Sequence, residues 1–160
     1  KQTVINYVGY MMDSYMLFTL QNYAAKLVEK ETSPKYYFMD TGLLGLMLMD
    51  CSSAQLENLV AIELIRRYGR ENVFYFEKNV EIDFYVPEEK LAIQVSLQVL
   101  DQIDTREREI GAFVKLKNFI GDATCLLITN SEEEELDYEG VHVSVVPVWK
   151  WLLQNRKQDI

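Results

Sequence analysis

One stretch of alternating residues, 80–98, constrains the fold of this chain more than any other. It contains two segments in which apolar and more polar residues alternate, and they read E-I-D-F-Y-V (81–86) and L-A-I-Q-V-S-L-Q (91–98). Alternation with a period of two is typical of β-strands that have one apolar face. Pro87 presets φ at the first corner of the P-E-E-K turn between the segments. The stretch therefore predicts a β-hairpin.

The register of this hairpin follows from its turn. If the two residues that flank the turn pair with each other, Asp83 lies opposite Gln94, and Glu81 lies opposite Ser96. Opposed residues of antiparallel strands have Cβ atoms about 4.5–5.5 Å apart. We therefore expect these four side chains to gather on one face of the sheet.

The remaining pattern predicts helices and strands on both sides of the hairpin. An almost wholly apolar helix is expected from Ser52 or Ser53 to about Tyr68, and Asp104 opens another helix with a capping-box-like start. A last short helix can start at Pro147. The further strands are predicted at Val73–Phe76, Ala123–Thr129 and Val141–Val146. The order α-β-β-β-α-β-β-α indicates an α/β domain with a mixed central sheet flanked by helices.

Two acidic residues interrupt the apolar helix. Glu57 and Glu63 point to different faces of it. Glu63 lies near Arg66 and Arg67, so we expect a surface ion pair there. Glu57 shares its face with apolar residues and needs solvent, a partner or a function.

The composition excludes several classes of protein. With 160 residues, 49% of them hydrophobic, the chain can form one well-buried core with a small appendage. Its apolar runs are far shorter than a membrane span, and it shows no signal-peptide pattern, so no membrane partner is predicted. Cys51 and Cys125 are isolated, which fits a reduced cytoplasmic protein better than a disulfide scaffold.

The charge of the chain argues against one kind of partner. Its formal net charge is -9, which opposes nonspecific binding to the phosphates of nucleic acids. Part of this charge lies in an acidic run at 132–139, which we expect to form a solvated loop.

Several motifs, taken in order, resemble known proteins. L-E-N-L-V-A-I-E-L (56–64), E-I-D-F-Y-V (81–86) and A-I-Q-V-S (92–96) resemble the core of PD-(D/E)XK, or restriction endonuclease-like, nucleases. With K-Y-Y-F-M-D-T-G-L-L (35–44) and V-P-V-W-K-W-L-L (146–153), they resemble the C-terminal domain of unknown function that follows the ATPase module in a prokaryotic family of AAA-type ATPases. The resemblance covers most of the chain and implies a restriction endonuclease-like fold.

The resemblance also implies a site. In active nucleases of this kind, an Asp and a Glu on neighbouring strands bind a divalent metal, a nearby Lys assists, and a helix Glu often completes the site. Asp83 matches the Asp and Glu57 the helix Glu, whereas Gln94 replaces the second carboxylate and Ser96 replaces the Lys. Asp83, Glu57, Gln94 and Glu81 are then the candidate ligands for Mg²⁺ or Mn²⁺ in a degenerate site.

The first 34 residues predict a small unit of their own. A helical pattern is followed by segments 15–20 and 23–28, which predict a hairpin around Gln21-Asn22. A helix followed by such a hairpin resembles the end of a winged-helix domain, and the alternative is a plain helix and hairpin packed on the main domain. The predicted domains are 1–34 and 35–160.

Two functions are consistent with these patterns. The first is a non-catalytic accessory domain of an AAA-type ATPase, used for binding or regulation, in which Asp83, Gln94 and Ser96 only hydrogen-bond across the sheet. The second is a metal-dependent DNA nuclease with a rearranged site. Lys78, Arg106 and Arg108 could in principle supply its cation, although the sequence does not show that they reach the site.

For the first function, the resemblance also implies which partners the chain has. The main partner is the ATPase module of the same parent chain, while nucleic acid and a second copy of the chain stay open. ATP is expected only in that module, because this sequence lacks the G-x-x-x-x-G-K-[ST] loop that cradles phosphates.

Overall fold

The computed structural model describes residues 2–25, 34–47, 52–100 and 103–154. In these ranges the helices are α1 (Gln2–Asp13), α2 (Gly42–Met47), α3 (Ser52–Tyr68), α4 (Ile103–Ile120) and α5 (Val148–Leu153). The strands are β1 (Leu17–Asn22), β2 (Lys35–Phe38), β3 (Phe74–Glu77), β4 (Glu81–Val86), β5 (Leu91–Val95), β6 (Thr124–Thr129), β7 (Glu134–Tyr138) and β8 (Val141–Pro147).

The strands of the described residues form one eight-stranded sheet in the order β2-β1-β3-β4-β5-β6-β8-β7. The pairs β1–β3, β5–β6 and β6–β8 are parallel, and the other neighbours are antiparallel. Parallel β5 and β6 need a crossover connection, which α4 provides. The predicted mixed sheet flanked by helices is therefore confirmed.

Among the described residues, two apolar cores hold the helices against the sheet. One packs α4 on the strands, and the helix contributes Ile110, Phe113 and Leu116 to it. The other packs α3 and α5 on the opposite face through Val60, Leu64 and Trp151. Each fully buried large side chain stabilises the fold by about 1.5–3 kcal/mol relative to its exposed state.

The hairpin of β4 and β5 has the predicted register. Val86 pairs with Leu91 across the turn. The turn is closed by a 3.1 Å bond from the N–H of Lys90 to the carbonyl of Pro87.

The strict alternation predicted for β4 is wrong. Its register with β3 shifts by one residue between Tyr85 and Ile82, so β4 holds one extra residue, a β-bulge at Asp83–Phe84. Ile82 and Tyr85 consequently both pack in the core beneath α4, whereas Phe84 packs in the core beneath α3. Alternation would have placed Ile82 and Phe84 on the same face.

The hairpin predicted around Gln21-Asn22 is also wrong. Both residues belong to β1, which pairs with β2 on one side and with β3 on the other. Asn22 acts there as a substitute strand partner, because its side chain bonds to the N–H and the carbonyl of Glu77 at 3.0 and 2.9 Å. Residues 26–28 of the predicted second strand lie outside the described residues.

The acidic run is partly a strand rather than a solvated loop. Residues 134–138 form β7, which pairs with β8 at the end of the sheet order. Leu136 is buried while its acidic neighbours are exposed. Charged side chains of this kind protect an edge strand from pairing with other chains.

In the part of the chain that the structure describes, no helix combines the length and the apolar character that a bilayer span requires.

Candidate functional site

A polar cleft of about 430 Å³ opens among α3, β4, β5 and α4. It brings together four of the predicted site residues from separate elements, namely Glu57, Glu81, Asp83 and Gln94. The other lining residues are Val80, Val95, Arg108, Glu109, Ala112 and Lys115. Ser96 is not among the described residues that line the cleft; it follows β5, and its hydroxyl donates to the carbonyl of Gln98 at 3.2 Å.

Side chains continue the pairing of β4 with β5 inside this cleft. The regular pairing stops one residue short of Asp83. The N–H of Asp83 then donates to Oε1 of Gln94 at 2.9 Å, and Nε2 of Gln94 donates to the carbonyl of Glu81 at 3.1 Å. Oδ2 of Asp83 accepts the N–H of Val95 at 2.9 Å. Asp83 and Gln94 therefore bridge the two strands where the ladder fails.

These bonds explain why residue 94 is a glutamine. Its oxygen faces an N–H donor and its nitrogen faces a carbonyl acceptor. An ionised glutamate only accepts hydrogen bonds, so it would leave the carbonyl of Glu81 without this donor. Gln94 is buried, with 5% of its surface exposed, so water would not readily replace the lost hydrogen bond.

A lysine that the sequence did not single out lies beside the same carboxylates. Nζ of Lys35 is 2.6 Å from Oε1 of Glu81 and 3.8 Å from Oδ1 of Asp83. The side chain comes from β2, which lies three places from β4 in the strand order. Its ammonium also lies 5.3 Å from the ring centroid of Tyr75. A charge at the start of the apolar segment K-Y-Y-F is the one signal in the sequence that could have indicated it.

Of the basic residues that could supply the cation, some line the cleft and others do not. Arg108 lines the cleft and pairs with Glu109 at 2.6 Å. Lys78 lies with Nζ 5.5 Å from the ring centroid of Phe119, and neither it nor Arg106 is among the described lining residues.

Glu57 is held at the cleft by a tyrosine. The hydroxyl of Tyr37 donates to Oε1 of Glu57 at 2.8 Å. The Tyr37 ring is buried and lies 5.6 Å from the ring of Phe18 and 5.7 Å from that of Phe84. Burial, and then the charge of Glu57, raise the pKa of Tyr37 well above its ordinary value. Tyr37 therefore stays a neutral donor to this carboxylate.

The charged groups in the cleft shift each other's pKa values. Burial, and then the charge of Glu57, raise the pKa of Asp83 to about 7, against the opposing effects of Lys35 and the Val95 N–H. At neutral pH this carboxyl is thus divided between its protonated and ionised forms. Burial alone would lower the pKa of Lys35, but its bond to Glu81 and the surrounding carboxylates raise that pKa overall. Lys35 is therefore a cation at neutral pH.

As arranged, these donors do not fit the divalent metal that the resemblance implies. The oxygen of Gln94 and Oδ2 of Asp83 both accept backbone N–H groups, and Glu81 is paired with Lys35. Within the described ranges, no group of three or more His, Cys, Asp or Glu side chains is placed to hold a metal ion. Mg²⁺ needs oxygen ligands at about 2.0–2.1 Å in near-octahedral geometry.

Comparison with known proteins yields two relationships. Residues 1–55 match the model of a family described as Domain of unknown function (DUF8612). An uncharacterized protein of Methanocaldococcus jannaschii, MJ1544, is 32% identical over 163 residues, which cover 96% of this chain and 36% of the relative. No solved structure matched the chain. The chain is thus similar to little more than a third of a longer archaeal protein.

Proposed function

We propose that this chain is a non-catalytic domain of restriction endonuclease-like architecture that serves binding or regulation in a larger AAA-type ATPase of the cytoplasm. Two observations support the architecture, namely the mixed sheet flanked by helices and the position of Asp83 beside Gln94 in an acidic cleft. The length of the relative supports the larger parent, because the alignment covers only 36% of it.

The role of Gln94 carries the non-catalytic part of the proposal. A nuclease site of the resembled kind uses a carboxylate at this position as a metal ligand. Here both polar atoms of the side chain bond to the backbone of β4 instead. A residue that completes the sheet in this way is not available to recruit a metal, and the neighbouring Lys35 offsets the charge that a metal would neutralise.

A cleavage assay tests this proposal. Plasmid and oligonucleotide DNA are incubated with the purified chain in Mg²⁺ or Mn²⁺, beside the variants Asp83→Ala and Glu88→Ala. Glu88 lies exposed in the turn and serves as the matched control. We expect the same background for all three proteins. Metal-dependent cleavage that Asp83→Ala abolishes and Glu88→Ala retains would overturn the proposal.

The ATPase parent is tested separately. We expect the open reading frame that contains this chain to encode a G-x-x-x-x-G-K-[ST] loop, because that loop binds the phosphates of the nucleotide. A reading frame without any nucleotide-binding motif would contradict this part of the proposal and leave the non-catalytic part standing.

One observation favours the alternative, a metal-dependent DNA nuclease with a rearranged site. Lys35 places an ammonium 3.8 Å from Asp83, so a cation is present although Ser96 occupies the usual lysine position. A fixed cation can stabilise negative charge that develops on a phosphate. Under this alternative, Lys35→Gln abolishes cleavage together with Asp83→Ala in the same assay.

A further inference from the structure

We infer that Lys35 is the built-in counter-ion of the cleft and that it excludes divalent cations from it. The inference rests on the proposed non-catalytic function and deepens it, because it names a group besides Gln94 that opposes metal binding in the acidic cleft. It also connects β2, in the N-terminal part of the chain, to residues more than forty positions away in β4.

The contacts of Lys35 are those of an internal counter-ion. Its ammonium pairs with Glu81 at 2.6 Å and lies 3.8 Å from Asp83, and the side chain is 26% exposed. It approaches the carboxylates that would have to bind a metal. A divalent cation at the same carboxylates would be repelled by this ammonium at short range. Water screens the repulsion less at Asp83, whose side chain is 17% exposed, than at Glu81, whose side chain is 57% exposed.

The strand that carries Lys35 is anchored by buried contacts. Lys35 and Tyr37 are two residues apart in β2, so they project from the same side of the strand. Tyr37 is 5% exposed and is held by Glu57. Lys35 itself pairs with Leu20 of β1.

Helix α3 fixes the other edge of β2. Asn58 accepts the N–H of Phe38 at 2.7 Å and donates to its carbonyl at 2.9 Å, as a neighbouring strand would. Asn58 is 2% exposed. Held by β1 and by α3, the backbone of β2 is fixed at the point from which Lys35 reaches Glu81 and Asp83.

Mn²⁺ binding is the direct test, measured by calorimetry and by the electron paramagnetic resonance signal of the free ion. We compare the unmodified chain with Lys35→Gln, which removes the charge, and with Lys35→Arg, which keeps it. We expect affinity for Mn²⁺ to rise at least about tenfold in Lys35→Gln because the repulsion is removed. Lys35→Arg should resemble the unmodified chain.

Two further variants make the result specific. Lys115→Gln removes a lysine that lines the same cleft but is exposed, and we expect it to change Mn²⁺ affinity much less than Lys35→Gln. Adding Asp83→Asn to Lys35→Gln should abolish the gained affinity. If Lys35→Gln does not fold, as judged by circular dichroism, it is replaced by Lys35→Met, which keeps a long aliphatic side chain without the charge.

Two results would overturn the inference. One is stoichiometric, micromolar Mn²⁺ binding by the unmodified chain, and the other is unchanged affinity in folded Lys35→Gln. Neither measurement involves cleavage. Failure of this inference is thus distinguishable from failure of the proposed function, which the DNA assay decides.

Discussion

At the scale of single residues, the cleft shows how polar side chains can complete the hydrogen bonding of a sheet. Asp83 and Gln94 take over hydrogen bonds that the backbones of β4 and β5 no longer make with each other. The bulge at Asp83–Phe84 accompanies this break in the ladder. A glutamine is suited to the bridge because it both donates and accepts.

Gln94→Glu alone should therefore destabilise the protein. At pH 7 the introduced carboxylate cannot donate to the carbonyl of Glu81 and lies next to Asp83, so we expect a loss of about 1–3 kcal/mol in the free energy of unfolding. Urea unfolding measures the loss. Gln98→Glu, the same change at an exposed position, should stay within about 0.5 kcal/mol of the unmodified chain.

The pH dependence of the stability of Gln94→Glu tests whether the charge of the new carboxylate causes the loss. Burial should raise the pKa of the introduced carboxyl above its unfolded value, so the folded state is favoured when that carboxyl is protonated. The deficit should accordingly shrink as the pH is lowered towards about 4, where the unfolded group also takes up its proton. A deficit that is the same at every pH would contradict the explanation.

At the scale of elements, one charged cluster joins α3 to α5. Glu63 accepts bonds from Arg66 at 2.7 and 2.8 Å and from Arg67 at 2.6 Å. Arg67 continues to the carbonyl of Trp151 at 3.1 Å and lies 4.1 Å from the centroid of its ring. The predicted ion pair is confirmed. Its Arg66 side lies at the surface, with that side chain 59% exposed, whereas the side chains of Glu63 and Arg67 are 11% and 7% exposed.

Glu63→Gln should weaken the fold in a pH-dependent way. The bonds from Arg66, and also those from Arg67, hold the pKa of Glu63 below its ordinary value although burial opposes them. Its stabilising effect is therefore fully present above the unfolded pKa and is lost as the pH falls through the folded pKa. We expect the variant to lose about 1.5–3 kcal/mol at pH 7 and progressively less below about pH 4.

Chemical unfolding at several pH values measures this difference. Glu107→Gln, at an exposed position of α4, is the control and should show little change. An equal loss at pH 7 and pH 3 in Glu63→Gln would argue that packing, rather than charge, accounts for the effect.

At the scale of the whole molecule, an uncharged helix stands out on a strongly acidic protein. Helix α1 has no charged side chain from Gln2 to Met12, whereas the whole chain carries a net charge of -9. Val4, Tyr7 and Tyr10 are 65%, 64% and 64% exposed. Apolar surface of this kind is typical of contact sites, and here it does not bring like charges together.

We therefore expect weak self-association through α1. The combined variant Val4→Glu and Tyr7→Glu should shift the chain towards the monomer, because it adds negative charge to the contact. Sedimentation equilibrium over a wide concentration range measures the shift. Leu46→Glu, at a residue of α2 that is 85% exposed, should leave it unchanged. A chain that is monomeric at every concentration would contradict the prediction.

ATP binding is a second property at this scale. We expect no stoichiometric binding of ATP by this chain in calorimetry at micromolar nucleotide, because the phosphate-binding loop is absent from its sequence. Binding at that concentration would show that another part of the chain recognises the nucleotide.

The sequence by itself determined the elements and the register of the central hairpin. The P-E-E-K turn is a local property, so it was enough to predict that Val86 pairs with Leu91 and that Asp83 meets Gln94, although β4 does not keep the predicted alternation. The order of helices and strands similarly predicted a mixed sheet with helices around it.

Only the tertiary structure decided which residues from distant parts of the chain contact each other. The bulge in β4 is a property of its pairing with β3, which no pattern within one strand records. Lys35 reaches Glu81, and Asn58 holds Phe38, because β2 lies between β1 and α3. Contacts between residues so far apart in the chain depend on how whole elements pack, and that packing is a collective result of burying both cores.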